Sequence, residues 1–213
     1  MIFTPNVTHA KTILIATQNK HKRREILDIV RDVPGVSFLG VEDFPFQPVV
    51  EEDGASFRDN AILKATALAR ACNTWAMADD SGLEVDALDG RPGVYSSRYS
   101  GPGATDKKNI QRVLAELKDV PRERRTARFV CAIALAAPRQ VFFVVEGRCE
   151  GVVTRRSRGT GGFGYDPIFY LPEYKQTFAE LSGSDASIKN TISHRAQALQ
   201  QFKERIQPLI HGL

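Results

Sequence analysis

Four polar islands in this chain hold residue types that could act on a phosphate, a metal ion or a base. The first is Thr17-Gln18-Asn19-Lys20-His21-Lys22, between an apolar run and a helical pattern. The amides of a helix N-terminus favour an anion, and hydroxyl and ammonium groups add donors. Without glycines this is no Walker loop, and most strand-to-helix loops bind nothing. The second is Glu51-Glu52-Asp53-Gly54, which reads either as a solvated acidic loop or as oxygen ligands for magnesium. The third is Asp79-Asp80-Ser81-Gly82, expected at the end of an apolar strand over 74–78. Successive side chains on a strand point to opposite faces, so the two carboxylates should not share one metal. One would face a cleft and the other would bond to backbone or cap a turn; an Asx turn before glycine is the plainer alternative. The fourth is Gly-Thr-Gly-Gly-Phe-Gly-Tyr-Asp-Pro over 159–167, paired with Lys189, His194 and Arg195. Gly164 and its neighbours allow close backbone approach, Phe163 and Tyr165 offer faces for a base, and Asp166 offers an acceptor. Core packing is the alternative for Phe163, as a structural role is for His194. Two acidic sites near a basic loop suit a magnesium triphosphate.

The elements that must position these islands follow from periodicity. An apolar strand over 11–16 leads into the first island. A helix with Ile26, Ile29, Val30 and Val33 on one face then stops at Pro34-Gly35, and a second strand covers 36–39. Residues 44–54 form a loop. Ser56 caps a helix burying Ala61, Ile62, Ala65, Leu68 and Ala69. A long shaped loop spans 89–103, and Asp106 caps a helix with Ile110, Val113, Leu114 and Leu117 inward. Strands over 127–136 and 141–150 make a hairpin around Pro138-Arg139-Gln140, with 151–154 as an extension. The last helix carries Ile192, Leu199, Phe202 and Ile206 and ends before Pro208. Lys189 and His194 lie about 140° apart on a continuous helix, so a shared ligand requires either a helix start near Ser193, a plausible N-cap, or a ligand that straddles the helix. The fold class is α/β: an elongated mixed sheet flanked by helices, with two lobes around a central cleft.

The 213 residues suit one domain over 11–213 behind a loose tail over 1–10. A hydrophobic share of 42% with 25% charged residues excludes a disordered chain. The net charge of +4 is a mild excess, and Arg122, Arg124, Arg125 and Arg128 read as a solvated loop and strand start rather than a nucleic-acid stripe. Cys72, Cys131 and Cys149 have neither disulfide nor zinc spacing and read as small core residues in a reducing compartment. No apolar run is long enough to span a bilayer, and the start lacks a signal peptide pattern, so the expected location is the cytoplasm.

Taken in order, the islands resemble the inosine/xanthosine triphosphate pyrophosphatase family. The matching stretches are TQNKHK (17–22), EEDGASFRDNAILKA (51–65), ADDSGLEVDALDGRPGVYSSRYSG (78–101), GTGGFGYDPIF (159–169) and SHRAQAL (193–199). The resemblance spans nearly the whole chain after the first ten residues. It implies magnesium-dependent hydrolysis of deaminated purine nucleoside triphosphates (ITP, dITP, XTP) to the monophosphate and pyrophosphate, by a homodimer. By the same resemblance, Thr17, Asn19 and Lys22 hold the triphosphate within the 17–22 loop. Glu51 and Asp80 bind magnesium, Asp80 is the general base, and Ser81 contacts substrate. Phe163, Gly164, Tyr165 and Asp166 form the base pocket with Lys189, His194 and Arg195. The family often has glycine where this chain has Gln18.

A metal-bound carboxylate is a poor base, so whether Asp80, Asp79 or Glu52 takes the proton stays open, as does Glu51 against Glu52 as ligand. Hypoxanthine and xanthine present O6 as an acceptor and N1–H as a donor, and adenine presents the reverse. Donors on Lys189 or Arg195 therefore suit the deaminated bases. A nucleic-acid-binding module would leave the carboxylates unexplained. A relative acting on modified pyrimidine triphosphates would use the same chemistry on another base.

Overall fold

Seven strands form one sheet in the order β2-β1-β3-β4-β5-β6-β7 in the computed structural model, which describes residues 10–41 and 50–211. Residues 1–9 of the expected 1–10 tail and residues 44–49 of the expected 44–54 loop lie outside the described residues. β1 (Lys11–Ile15) pairs in parallel with β2 (Val36–Gly40) and β3 (Trp75–Val85). Parallel neighbours need crossovers. These are α1 (Lys20–Val30), capped by the Asn19 side chain, and α2 (Phe57–Ala71), capped by Ser56. From β3 onward the pairing is antiparallel through β4 (Thr126–Ala137), β5 (Gln140–Val153), β6 (Phe169–Leu171) and β7 (Gln176–Thr177). The mixed α/β sheet flanked by helices is the expected fold class, and no helix among the described residues is long and apolar enough to cross a membrane.

The remaining helices are α3 (Asp106–Glu116), α4 (Phe178–Ser184), α5 (Ala186–Ile192) and α6 (His194–His211). Three apolar clusters result. One packs α1 and α6 on β1 and the first half of β3. Another packs α2 on the opposite face. The third joins the second half of β3 to α3, β6 and α4.

Several sequence expectations need correction. Asp79-Asp80-Ser81-Gly82 does not end a strand, because β3 continues to Val85 in an unbroken ladder with β4. Gly82 marks a close approach rather than a turn: a Cβ there would collide with Ser96 Oγ and lie 2.8 Å from the Gly93 carbonyl oxygen. Thr105, not Asp106, caps α3, its hydroxyl accepting from Lys108 N. Ile192 belongs to α5. The chain breaks at Ser193, whose hydroxyl accepts from Ala196 N, so α6 starts at His194. Helix α6 runs through Pro208, which lacks the N–H that would donate to the Glu204 carbonyl, while Leu209 and Ile210 beyond it still pack on the core. Arg125 is buried, donating to the carbonyls of Leu117, Val120 and Thr154, which tie a loop to the sheet. Cys72 is only half-buried; Cys131 and Cys149 are core residues.

Candidate active site

Odd-numbered side chains of β3 lie on one face of the sheet and even-numbered ones on the other, where Ala76 and Ala78 pack with α2. Trp75 and Met77 enter one apolar cluster and Leu83 and Val85 another. Asp79 and Ser81 therefore fill a polar gap in an otherwise apolar face, and a cleft of about 540 Å³ opens there.

Asp79 is buried and meets four donors. Lys22 Nζ lies 2.5 Å from Oδ1, Arg195 Nε 2.9 Å from Oδ2, Cys131 Sγ 2.9 Å from Oδ2, and Ser81 Oγ 3.0 Å from Oδ1. Burial alone would raise its pKa, but Arg195 and Lys22 outweigh burial and hold it well below the usual carboxylate range. The expectation of a backbone bond or turn cap gives way to this side-chain hub. Arg195, 1% exposed, also donates to Glu25 on α1 and, through Nη2, to Ser81 Oγ at 2.9 Å. The donors expected to be free for a base are thus largely engaged within the protein. Lys189 completes the chain of charges, with Nζ 2.9 Å from Glu25 and 2.7 Å from Asp166.

Asp80 faces the other side. Lys64 Nζ lies 2.6 Å from its Oδ1 and Asn60 Nδ2 donates to Oδ2 at 3.3 Å. Burial raises the Asp80 pKa above the ordinary value against the opposing pull of Lys64. Lys64 also reaches Glu52 at 3.5 Å, so one ammonium bridges two carboxylates. Glu52, further held by Arg98 at 3.7 Å, lines the cleft. Glu51 is exposed and does not line it. Of the two neighbouring glutamates, Glu52 is the one that lines the cleft, where the resemblance named Glu51.

Thr17, Gln18, Asn19 and Lys22 line the cleft; Lys20 is exposed and does not. The Asn19 carboxamide is used as a cap, accepting from His21 N and Lys22 N. Among described non-glycine residues only Asn73, Asp89 and Lys175 have positive φ, so Gln18 needs no glycine-like conformation. Across the cleft, the Phe163 ring stacks on His21 with centroids 5.3 Å apart, and Lys189 Nζ lies 4.7 Å from its centroid. Gly164 lines the wall. Tyr165 lines it from within the core, its hydroxyl donating to Ser96 O at 2.8 Å, so its aromatic face is packed rather than open for stacking. Asp166 is buried, accepting from Phe163 N at 3.0 Å and from Lys189. His194 stacks on Phe129 with centroids 4.8 Å apart, and its Nδ1 has no partner among the described residues. Burial drives its pKa well below 6.5, so it is neutral.

Sequence reading passed over Glu25, Lys64 and Asn60, and took Asp106 only as a helix cap. A signal existed for two of them. Asn60 and Lys64 are four apart and interrupt the apolar face of α2, a spacing that puts them side by side.

A sequence model of the Ham1 family matches residues 13–205. The dITP/XTP pyrophosphatase of Desulforamulus reducens is 50% identical over 192 residues, 90% of this chain and 94% of that protein. That of Geobacillus kaustophilus is 48% identical over 202 residues, 95% and 97% of the two chains. Among solved structures, a HAM1 protein from Coxiella burnetii aligns with a TM-score of 0.84 at 42% identity, over 93% of this chain and 99% of that one. The nucleoside-triphosphatase, or dITP/XTP pyrophosphatase, of Mycobacterium abscessus aligns at 0.73 and 41% identity, over 90% and 98%.

Proposed function

The chain belongs to the Ham1 family, and from that premise we propose that it hydrolyses deaminated purine nucleoside triphosphates (dITP, XTP and ITP) to the monophosphate and pyrophosphate. The observation that carries this reading is the cleft itself: Lys22 and the cap of α1 at one edge, the Asp80–Lys64–Glu52 group on its floor, and Phe163 with Lys189 at the other edge.

The triphosphate lies between the 17–22 loop and β3. Lys22 and Lys64 bind its oxygens, and Asp80 orients the attacking water as that water loses a proton. Asp79 is unsuited to accept that proton, because its four donors hold it as an anion, and it serves instead to fix Lys22, Ser81 and Arg195 in place. The pair Asp80 and Glu52 fits magnesium, because their hard oxygens already converge on one cation, Lys64. No group of three or more His, Cys, Asp or Glu that could hold a metal occurs among the described residues, but magnesium bound with substrate phosphates and water needs only one or two carboxylates. When bound, the ion neutralises charge that develops on the phosphate oxygens.

Base selection falls to Lys189 beside Phe163. Its ammonium has three hydrogens and two carboxylate partners, which leaves one donor for O6. Adenine would bring an amino group to that donor, and unpaired polar groups in a closed site discriminate by up to ~10⁴-fold. The homodimer belongs to the same reading; light scattering should give twice the 23.6 kDa chain mass. The test of the function is a panel of ITP, XTP, dITP, ATP, GTP and UTP with magnesium, resolved by chromatography. ITP, XTP and dITP should turn over well ahead of the rest. Preference for ATP or UTP would overturn the substrate assignment.

A further inference from the structure

We infer that Asp106 is a positioning residue that fixes the Phe163–Gly164 tip against which a base docks; this rests on the reading of that tip as the base wall. Phe163 and Gly164 line the 540 Å³ cleft on one side and a second groove of about 410 Å³ on the other. The tip is therefore a thin partition with space on both sides: the Phe163 ring leans on His21 and Lys189, while Gly164 has no side chain to pack. Gly164 has φ +59°, and a Cβ built on it would meet nothing within 4 Å.

Hydrogen bonds decide where such a tip stands. The Phe163 amide donates to Asp166 Oδ2 within the same loop at 3.0 Å. The Gly164 amide donates to Asp106 Oδ2 at 2.7 Å, across 58 residues of sequence. Asp106 opens α3, and α3 is tied to the 3-10 turn Gly93–Arg98 and its exit. Asn109 Nδ2 donates to Ser97 O at 3.0 Å, and Asn109 Oδ1 accepts from Ser100 N at 2.8 Å. That same turn receives the Tyr165 hydroxyl at Ser96 O. Two successive residues, Gly164 and Tyr165, are thus anchored to one body, and Asp106 supplies the anchor nearer Phe163. The carboxylate touches no reacting atom; it acts through the loop.

Loss of this acceptor frees the Gly164 amide and lets the Phe163 ring wander, which weakens base binding and leaves the chemistry at Asp80 intact once substrate is seated. Asp106→Ala should raise KM for ITP about tenfold, the scale of one charge-assisted hydrogen bond, with kcat within about twofold. Asp106→Asn keeps an acceptor oxygen and should hold KM within about threefold. Thr105→Ala removes the α3 cap without touching Gly164; it should lower Tm and leave KM alone. Amide hydrogen exchange over 159–166 should quicken in Asp106→Ala and stay unchanged in Thr105→Ala. Wild-type KM or unchanged exchange in Asp106→Ala would overturn the inference, as would Tm and kcat falling together at constant KM. The exchange arm needs no turnover, so a wild type inert towards ITP would defeat the functional reading while exchange still judged Asp106.

Discussion

Asp79 and Asp80 are neighbours with opposite electrostatic fates. Asp79 is locked as an anion by Lys22 and Arg195, while burial lifts the proton affinity of Asp80. Asp80→Asn keeps the shape and removes the charge; turnover should fall by at least ~10²-fold with the fold intact, read by steady-state rate and circular dichroism. Activity within a few-fold of wild type would take Asp80 out of the mechanism. Arg195→Ala should act differently, since it breaks two ion pairs at once and leaves the buried Asp79 and the largely buried Glu25 each with one lysine partner. A loss of about 3–5 kcal/mol is expected in denaturant unfolding, and a near-zero loss would show that Arg195 is not the structural hub described. At this scale the acid pair and its opposite facing were legible, because alternation on a strand is a strict rule. Glu25 and the burial of Arg195 were not. Their partners come from α1, β3, α5 and α6, and no local pattern announces that these four segments meet.

The elements that position these residues depend on a few short breaks. The break between α5 and α6 aims Lys189 and His194 into one cleft although a continuous helix would separate them. Ser193 was readable as that break because serine is a strong cap. The full length of β3 was not readable: Asp-Asp-Ser-Gly has turn chemistry locally, and only the ladder with β4 overrides it. Ser193→Ala should cost ~1 kcal/mol and lower Tm by ~2–4 °C, seen by calorimetry. The pH dependence of stability bears on His194. Burial places its folded pKa well below its unfolded value of about 6.5. Unfolding thus takes up a proton as pH falls below about 6.5, and the stability that is full above that value is lost towards the folded pKa, by up to ~1.4 kcal/mol per pH unit. Between pH 7.5 and 5.5 the wild type should lose stability, and His194→Gln should lose less over the same interval. Equal slopes would show that His194 does not titrate on unfolding.

Across the whole molecule, the sheet changes from parallel to antiparallel pairing at β3, and the cleft opens where its apolar face is interrupted. Lys22, Arg195 and Lys189 are matched there by Asp79, Glu25 and Asp166, and Lys64 is shared by Asp80 and Glu52. These groups carry no surplus positive charge, so a triphosphate needs an added cation. EDTA should abolish turnover and excess magnesium should restore it; full activity in EDTA would contradict the metal assignment. The central claim is attack by water at the α-phosphorus of a deaminated purine triphosphate. It is tested most directly by turning over ITP in ¹⁸O-enriched water and analysing the products by mass spectrometry. The predicted products are IMP carrying the label and unlabelled pyrophosphate. IDP with labelled orthophosphate, or label in the pyrophosphate, would contradict that claim.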